Sequence, residues 1–145
     1  MSYAYSAKSQ ERLLSCHPDL QKIFLRVIDY VDCSIFCGHR GMEEQNYAYV
    51  NNKSKVQWPN SKHNSEPSMA VDAGPYFKEI GNTDWNDMVA FGQFAGRVIQ
   101  IAEQLYEQGE IAHKLRWGGD WDKDGRSADH AFLDGPHFEL VEADT

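Results

Sequence analysis

The longest regular pattern in the sequence runs from Thr83 to Gly109 and predicts one long amphipathic helix. Thr83 suits the cap, Asp84 and Asp87 suit the positive end of the helix dipole, and Gly109 is a typical stop. Its apolar side chains recur every three or four residues and form one broad stripe: Trp85, Met88, Phe91, Phe94, Ala95, Val98, Ile99, Ile101, Ala102 and Leu105. Another layer has to cover such a stripe. We therefore expect the helix to lie across a β-sheet as its principal packing partner.

Two glycines on this helix, Gly92 and Gly96, would permit close approach of a neighbouring element. Arg97, Gln100 and Glu103 interrupt the apolar run, which argues against a membrane role for the pair. No other run reaches the length of a membrane span, and the first ten residues lack the apolar core of a signal peptide. We expect a protein that is made and folded in a cytoplasm and has no membrane partner.

The remaining predicted elements are short. Apolar residues at helical spacing predict a core-facing helix from Pro18 to Asp32, and Glu43 and Glu44 suit the first turn of a second helix that runs to about Asn52. The polar segment 51–67, with two prolines, reads as a loop. Alternating or apolar runs predict four strands at 34–37, 68–73, 115–117 and 137–141.

The composition indicates one ordinary globular domain spanning residues 1–145. The chain has 41% hydrophobic and 25% charged residues, no internal repeat and no Pro/Ser linker, so an appended binding module is not expected. The net charge of −8 argues against a nucleic-acid partner, because phosphate binding depends on Lys and Arg. Cys16, Cys33 and Cys37 show no disulfide spacing, so we expect three small buried hydrophobic side chains; the alternative for Cys33 and Cys37 is metal binding.

Two histidines and one aspartate form a candidate metal site. His63 lies in the loop, Asp72 lies on the strand face opposite Val71, and His137 begins the last predicted strand. In that strand His137 and Glu139 face one way, while Phe138 and Leu140 face the core. Two imidazoles and one carboxylate are a three-ligand set for zinc. They leave a fourth position open, as a catalytic zinc requires.

Four segments that occur in one order carry a resemblance to a known family: Ser61-Lys62-His63, Ala70-Val71-Asp72, Trp117-Gly118-Gly119-Asp120-Trp121 and Asp134-Gly135-Pro136-His137-Phe138-Glu139-Leu140. Together they resemble the D-Ala-D-Ala carboxypeptidase-like zinc peptidases, and within them the small L-alanyl-D-glutamate peptidases that tailed bacteriophages use as endolysins. The resemblance runs from about Phe36 to Leu140. It implies an α+β fold, a small antiparallel sheet with helices packed on it, shared with the hedgehog amino-terminal domain. The segment between His63 and Asp72 is longer than in many relatives and looks like the phage branch.

The resemblance also implies roles for single residues. It makes His63, Asp72 and His137 the zinc ligands and Asp134 the catalytic carboxylate, which acts as general base toward water and then as proton donor to the leaving amine. The alternative for Asp134 is a turn-capping aspartate. Arg40, in Gly38-His39-Arg40, matches an arginine that contacts substrate and would hold the scissile carbonyl or a substrate carboxylate. Its alternative is a surface ion pair.

Two further expectations concern the surroundings of the metal. Glu139 is a candidate for orienting a ligand histidine, since metal-bound imidazoles usually need a partner. The histidines without matching context are expected to be surface or hydrogen-bonded residues: His17, His39, His113 and His130.

An acidic loop between the last two predicted strands suggests a second ion. Asp120, Asp122 and Asp124 occupy positions 1, 3 and 5 of a calcium loop, with glycine at position 6. Position 12 is alanine instead of glutamate, so Asp129 would substitute, and the backbone carbonyl of Arg126 would complete the oxygen set. Such a calcium ion would order the segment that leads to Asp134. The alternative is a solvated acidic turn.

The activity implied by the resemblance is zinc-dependent hydrolysis of the L-alanyl-D-glutamate bond in peptidoglycan stem peptides, which serves host lysis. The enzyme is expected to act as a monomer, without a separate cell-wall-binding domain, and to reach the cell wall through a holin-type lesion. Residue chemistry alone supports only zinc-dependent amide hydrolysis. Two alternatives stay open: a D-alanyl-D-alanine carboxypeptidase or dipeptidase, and a non-catalytic, metal-stabilised binding module.

Overall fold

A computed structural model describes residues 3–120, 123 and 134–144. Four helices and four strands are formed in these residues, in addition to a short 3₁₀ helix at Lys62–Asn64. The helices are α1 (Ala7–Leu14), α2 (Pro18–Val27), α3 (Met42–Val50) and α4 (Met88–Glu107), and the strands are β1 (Cys33–Cys37), β2 (Ala70–Pro75), β3 (Lys114–Trp117) and β4 (His137–Val141).

The strands form one antiparallel sheet in the order β1-β2-β4-β3. The α+β class with helices packed on a small antiparallel sheet is therefore confirmed. In the register of the two central strands, Asp72 of β2 lies directly opposite His137 of β4. This pairing places both predicted ligands at one point of the sheet.

Helices α2 and α4 pack together on the apolar face of the sheet. The ring of Phe138 from β4 lies edge-on between Phe24 of α2 and Phe94 of α4, with centroid separations of 5.8 and 6.1 Å. Because side chains alternate along a strand, burying Phe138 and Leu140 on this face turns His137 and Glu139 to the other one. The expected orientation of the β4 side chains is thus confirmed. Helix α4 covers the sheet, as its apolar stripe predicts.

The predicted start of the long helix was wrong. Helix α4 begins at Met88, and Asp87 is its cap because its carboxylate accepts a hydrogen bond from the backbone N–H of Ala90 at 2.9 Å. The buried Thr83 hydroxyl instead donates to the carbonyl of Pro75 at 2.8 Å. Trp85 consequently lies outside the helix, half-exposed, with its ring 4.5 Å from that of Phe36.

Other boundaries and contacts also differ from the sequence predictions. Helix α2 ends at Val27, where the next turn tightens: the N–H groups of Asp29 and Tyr30 bond only three residues back, to the carbonyls of Arg26 and Val27. Helix α1 was not predicted; the Ser6 side chain caps it by accepting from the N–H of Ser9. The close approach expected at Gly92 and Gly96 is absent in the described structure, since a Cβ added to either glycine meets no atom within 4 Å.

No helix in the described part of the chain is long and apolar enough to cross a membrane.

Candidate active site

His63 enters the site from the short 3₁₀ helix, whose cap is the Ser61 side chain. Its imidazole is almost fully buried, and Nδ1 lies 2.7 Å from the carbonyl oxygen of Gly38. Because a carbonyl oxygen can only accept, this contact places the proton on Nδ1. In the neutral imidazole that binds a metal, the lone pair is therefore on Nε2, which faces Asp72, with Oδ1 3.2 Å away.

His137 reaches the same carboxylate oxygen from the neighbouring strand. Its Nε2 lies 2.8 Å from Oε1 of Glu139, so Nε2–H donates to that carboxylate, which also accepts from Nη2 of Arg116. In the neutral imidazole that binds a metal, the lone pair is then on Nδ1, which faces Asp72 at 3.3 Å from Oδ1. Glu139 therefore has the orienting contact expected from the sequence, on the side of the imidazole away from Asp72.

The two spacings from Asp72 to the histidines fit a zinc ion. Zinc bonds of about 2.0–2.1 Å to nitrogen and oxygen, in tetrahedral geometry, place neighbouring ligand atoms about 3.3 Å apart. The separations from Asp72 Oδ1 to the two nitrogens are 3.2 and 3.3 Å. Both imidazoles also have a partner on their outer nitrogen, which is the usual arrangement for metal-bound histidine. The donor types, the partners of the outer nitrogens and the two spacings from Asp72 thus fit zinc.

The three groups are strongly coupled electrostatically. Burial acts to lower the pKa of His63, but the adjacent Asp72 carboxylate outweighs it and raises the pKa to about 10. His137 responds in the same way to burial and to its bonds with Asp72 and Glu139, and its pKa rises to about 9. Burial acts to raise the pKa of Asp72, yet the two histidines hold it well below its usual value. The site therefore keeps a carboxylate ionised in a buried position.

Asp134 lies beside this cluster, with Oδ2 4.0 Å from Nδ1 of His137. Burial, followed by repulsion from Asp72, raises the pKa of its carboxyl group to about 6. Gly118 fixes the backbone at this point: its carbonyl accepts from the N–H of Asp134 at 2.9 Å, and its own N–H donates to the carbonyl of His137 at 2.8 Å. A Cβ on Gly118 would lie 2.2 Å from the Asp134 carbonyl oxygen. The absence of a side chain at Gly118 therefore lets the end of β3 pack against the turn that carries Asp134.

Arg40 approaches from the opposite side, next to His63. Its backbone N–H donates to the carbonyl of His63 at 2.7 Å, and its Nη2 lies 3.6 Å from Oδ2 of Asp72. Its Nη1 donates to Oε1 of Gln45, which is fully buried in α3. The guanidinium is mostly buried against these partners, so the surface ion pair considered for Arg40 does not describe it.

The site opens into a cleft of about 880 Å³. Among the described residues, five cationic side chains line it, against three carboxylates, in a chain whose net charge is −8: Arg40, Lys53, Lys55, Lys62 and Arg116, with Asp72, Asp134 and Glu139. The described part of the cleft wall thus carries more cations than carboxylates.

Several site residues escaped sequence reasoning. Cys37 is only partly buried, and its Sγ lies 3.8 Å from Nδ1 of His63, so the expectation of three buried cysteines holds for Cys16 and Cys33 but not for Cys37. Gln45, Lys62 and Arg116 contact the site as well. Lys62 could have been found from its place beside His63. Arg116 is 23 residues from Glu139, which it contacts, and Gln45 belongs to no motif although it is only five residues from Arg40.

Within the described residues, three groups of side chains are close enough to share a metal ion: Cys37, His63 and Asp72; Asp72, Asp134 and His137; and His17, Asp19 and His113. Asp72 belongs to the first two. In the third group, Oδ2 of Asp19 accepts the N–H groups of Ala112 and His113 and the imidazole of His113. The cluster therefore ties α2 to the segment before β3, as expected for histidines that are not ligands.

The proposed calcium loop falls mostly outside the described residues. Asp122, Asp124, Arg126, Asp129 and His130 are not described. Asp120 forms a turn after β3, in which its N–H donates to the carbonyl of Trp117 at 3.0 Å. The calcium site remains a prediction.

Comparison with known proteins agrees with this geometry. The chain is 32% identical to the L-alanyl-D-glutamate peptidase of Escherichia phage T5, over 97% of this chain and 100% of that protein. Its structure is similar to the crystal structure of the Serratia marcescens L-Ala D-Glu endopeptidase ChiX, with a TM-score of 0.70 and 26% identity, over 95% of this chain and 90% of that one. Residues 1–141 match the sequence profile of the phage L-alanyl-D-glutamate peptidases. The chain therefore belongs to the phage L-alanyl-D-glutamate peptidase family.

Proposed function

We propose that this chain cleaves the L-alanyl-D-glutamate bond of peptidoglycan stem peptides with a zinc ion held by His63 Nε2, one oxygen of Asp72 and His137 Nδ1. The observation that carries the metal assignment is the position of Asp72 Oδ1, at 3.2 and 3.3 Å from the two imidazole nitrogens that face it. Family membership supports the choice of bond.

The chain's own residues divide the remaining work. When bound, zinc would acidify the attacking water and polarise the scissile carbonyl. Asp134 accepts the proton that the water loses as its oxygen bonds to the carbonyl carbon, and it returns that proton to the amide nitrogen as the C–N bond breaks. Its pKa of about 6 suits both roles near neutral pH. Arg40, held by Gln45, orients the carbonyl from the other side.

Digestion of purified peptidoglycan by the zinc-loaded protein tests the choice of bond. Mass spectrometry should find fragments with a newly exposed D-glutamyl amine. Release of free D-alanine would instead identify the D-alanyl-D-alanine carboxypeptidase or dipeptidase.

Asp134→Asn tests the catalytic role against a non-catalytic binding module. We expect hydrolysis to fall by about 10²- to 10⁴-fold, the usual contribution of a general acid–base group, with zinc still bound. Asp144→Asn, an exposed change of the same kind near the described end, should leave the rate unaltered. Undiminished lysis by a zinc-loaded Asp134→Asn protein would favour the binding module.

We further propose that calcium binds the loop that begins at Asp120 and orders the segment leading to Asp134. The test is a protein depleted of both metals and given back zinc alone or zinc with calcium. Activity that is complete with zinc alone would leave the loop without a calcium role. The monomeric state and the holin-type route to the cell wall are part of the same proposal, and sedimentation of the pure protein addresses the first.

A further inference from the structure

The two walls of the cleft differ in the half of the substrate that they can contact. Arg40 lies on the wall of His63, where it would meet the scissile carbonyl and hence the L-alanyl half. Asp134 lies on the wall of His137. Because Asp134 protonates the leaving nitrogen in the proposed reaction, the D-glutamyl half has to lie on the His137 wall.

The D-glutamyl half carries a negative charge close to the bond that breaks. In a stem peptide this residue is joined onward through its side-chain carboxyl group, so its α-carboxylate stays free. That carboxylate is attached to the same carbon as the scissile nitrogen. A cation on the His137 wall is therefore the chemical partner that this half of the substrate requires.

Lys62 supplies such a cation. Its ammonium donates to the carbonyl of Leu140 at 2.6 Å and lies 3.5 Å from Oε2 of Glu139, the carboxylate that holds His137. Both anchors belong to β4, the strand that carries His137. The side chain is 39% exposed and lines the cleft. An ammonium group has three N–H donors, so it can hold these two acceptors and bind a third from the substrate.

The charge of Lys62 is only partly compensated by Glu139. That carboxylate already accepts hydrogen bonds from His137 and from Arg116, and its contact with Arg116 is closer than its contact with Lys62. Because the Glu139 carboxylate is shared among three partners, Lys62 can still attract another anion. The position is also fixed, because a backbone carbonyl and a strand residue hold the ammonium in place.

We propose that Lys62 binds the α-carboxylate of the D-glutamyl residue and makes the enzyme select stem peptides in which this group is free over those in which it is a carboxamide. The inference rests on the proposed function, and it adds a specificity determinant to it. A neutral carboxamide could still accept a hydrogen bond through its carbonyl oxygen, but it would lose the attraction between two opposite charges.

The test uses two synthetic acyl-L-Ala-γ-D-Glu peptides that differ only in the α-group, carboxylate or carboxamide. For the zinc-loaded wild type we expect kcat/KM to favour the carboxylate by at least about tenfold, the scale of one charged hydrogen bond. Lys62→Met should bring the ratio close to one, because any effect of the lost Glu139 contact applies to both peptides and cancels in the ratio. Lys62→Arg should retain a preference, because it keeps the charge.

Lys53→Met is the matched control, since Lys53 lines the same cleft from the segment after α3 and the charge change is identical. It should keep the wild-type ratio. Equal cleavage of the two peptides by the wild type, or an unchanged ratio in a zinc-loaded Lys62→Met protein, would overturn the inference while leaving the proposed function intact.

Failure of the proposed function gives a different result: neither peptide is cut at the L-alanyl-D-glutamate bond. In that case a binding measurement can still test whether Lys62 contacts the carboxylate. Calorimetry on the Asp134→Asn protein should show tighter binding of the carboxylate peptide, and the further change Lys62→Met should abolish that difference. Equal affinities before the further change would count against Lys62.

Discussion

At the scale of single residues, Glu139 controls how His137 faces the proposed metal. It accepts Nε2–H of His137 at 2.8 Å and is itself held by Arg116 and Lys62. Glu139→Gln removes the charge that supports this contact. We expect zinc affinity to fall by about 10- to 100-fold, the usual effect of losing such a partner. Competition with a coloured chelator measures the affinity.

Glu142→Gln is the control for this change, because Glu142 follows the same strand and is exposed. Its zinc affinity should equal that of the wild type. If Glu139→Gln binds zinc as tightly as the control does, the orienting role of Glu139 is wrong.

The residues that the sequence could predict are those whose neighbours in the chain form a motif. His63, Asp72, His137, Asp134 and Arg40 all reach one cleft, as expected. Cys37 and Gln45 could not be found in this way, because their contacts with the site depend on how β1 and α3 pack after folding. Hydrogen-bond partners of this kind are selected by three-dimensional proximity, and a single sequence does not encode that in its spacing.

At the scale of elements, α4 contains a glycine that costs stability without serving packing. Gly96 is exposed in the middle of the helix, and an added Cβ would meet no atom within 4 Å. Gly96→Ala should therefore raise the free energy of unfolding by about 0.5–1 kcal/mol, through lower backbone entropy in the unfolded chain. Urea denaturation measures the change.

Gly38→Ala gives the contrasting result, because its Cβ would lie 2.2 Å from the carbonyl oxygen of Arg12 and 2.3 Å from the Ser15 hydroxyl. This variant should be destabilised. A loss of stability in Gly96→Ala as well would show that α4 has a close neighbour at this position after all.

The elements were predictable where a long apolar period dominates and less so at their ends. The stripe of α4 correctly implied a helix that covers the sheet. Its start was misplaced because Thr83 and Asp87 are both acceptable N-caps in the sequence. In the structure the Thr83 hydroxyl bonds to the carbonyl of Pro75, so Thr83 does not cap the helix and Asp87 does. Helix α1 is largely exposed and polar, so its weak apolar signal gave no prediction.

At the scale of the whole molecule, the proposed zinc ion would join three distant parts of the chain. His63 comes from the short 3₁₀ helix, Asp72 from β2 and His137 from β4. A ligand that binds only the folded state stabilises it by about 2.7 kcal/mol when its free concentration is 100 times its dissociation constant. Removing zinc with a chelator should therefore lower the melting temperature, and restoring zinc should recover it.

Two variants separate this effect from catalysis when their melting temperatures are measured by scanning calorimetry with and without zinc. Asp134→Asn should keep the zinc-dependent rise in melting temperature, because Asp134 is not one of the proposed ligands. Asp72→Asn should lose most of it, because Asp72 is the ligand that both histidines face. If the melting temperature of the wild type does not change when zinc is removed or restored, the proposed metal site is contradicted.

The order of strands in the sheet has a consequence for synthesis on the ribosome. Strand β4 is translated after β1, β2 and β3, yet it lies between β2 and β3 in the finished sheet. While residues 137–141 are still inside the exit tunnel, β3 has no neighbour with which to pair, and His137 and Glu139 are missing from the cleft. A nascent chain is thus unable to assemble the proposed metal site until β4 has left the tunnel.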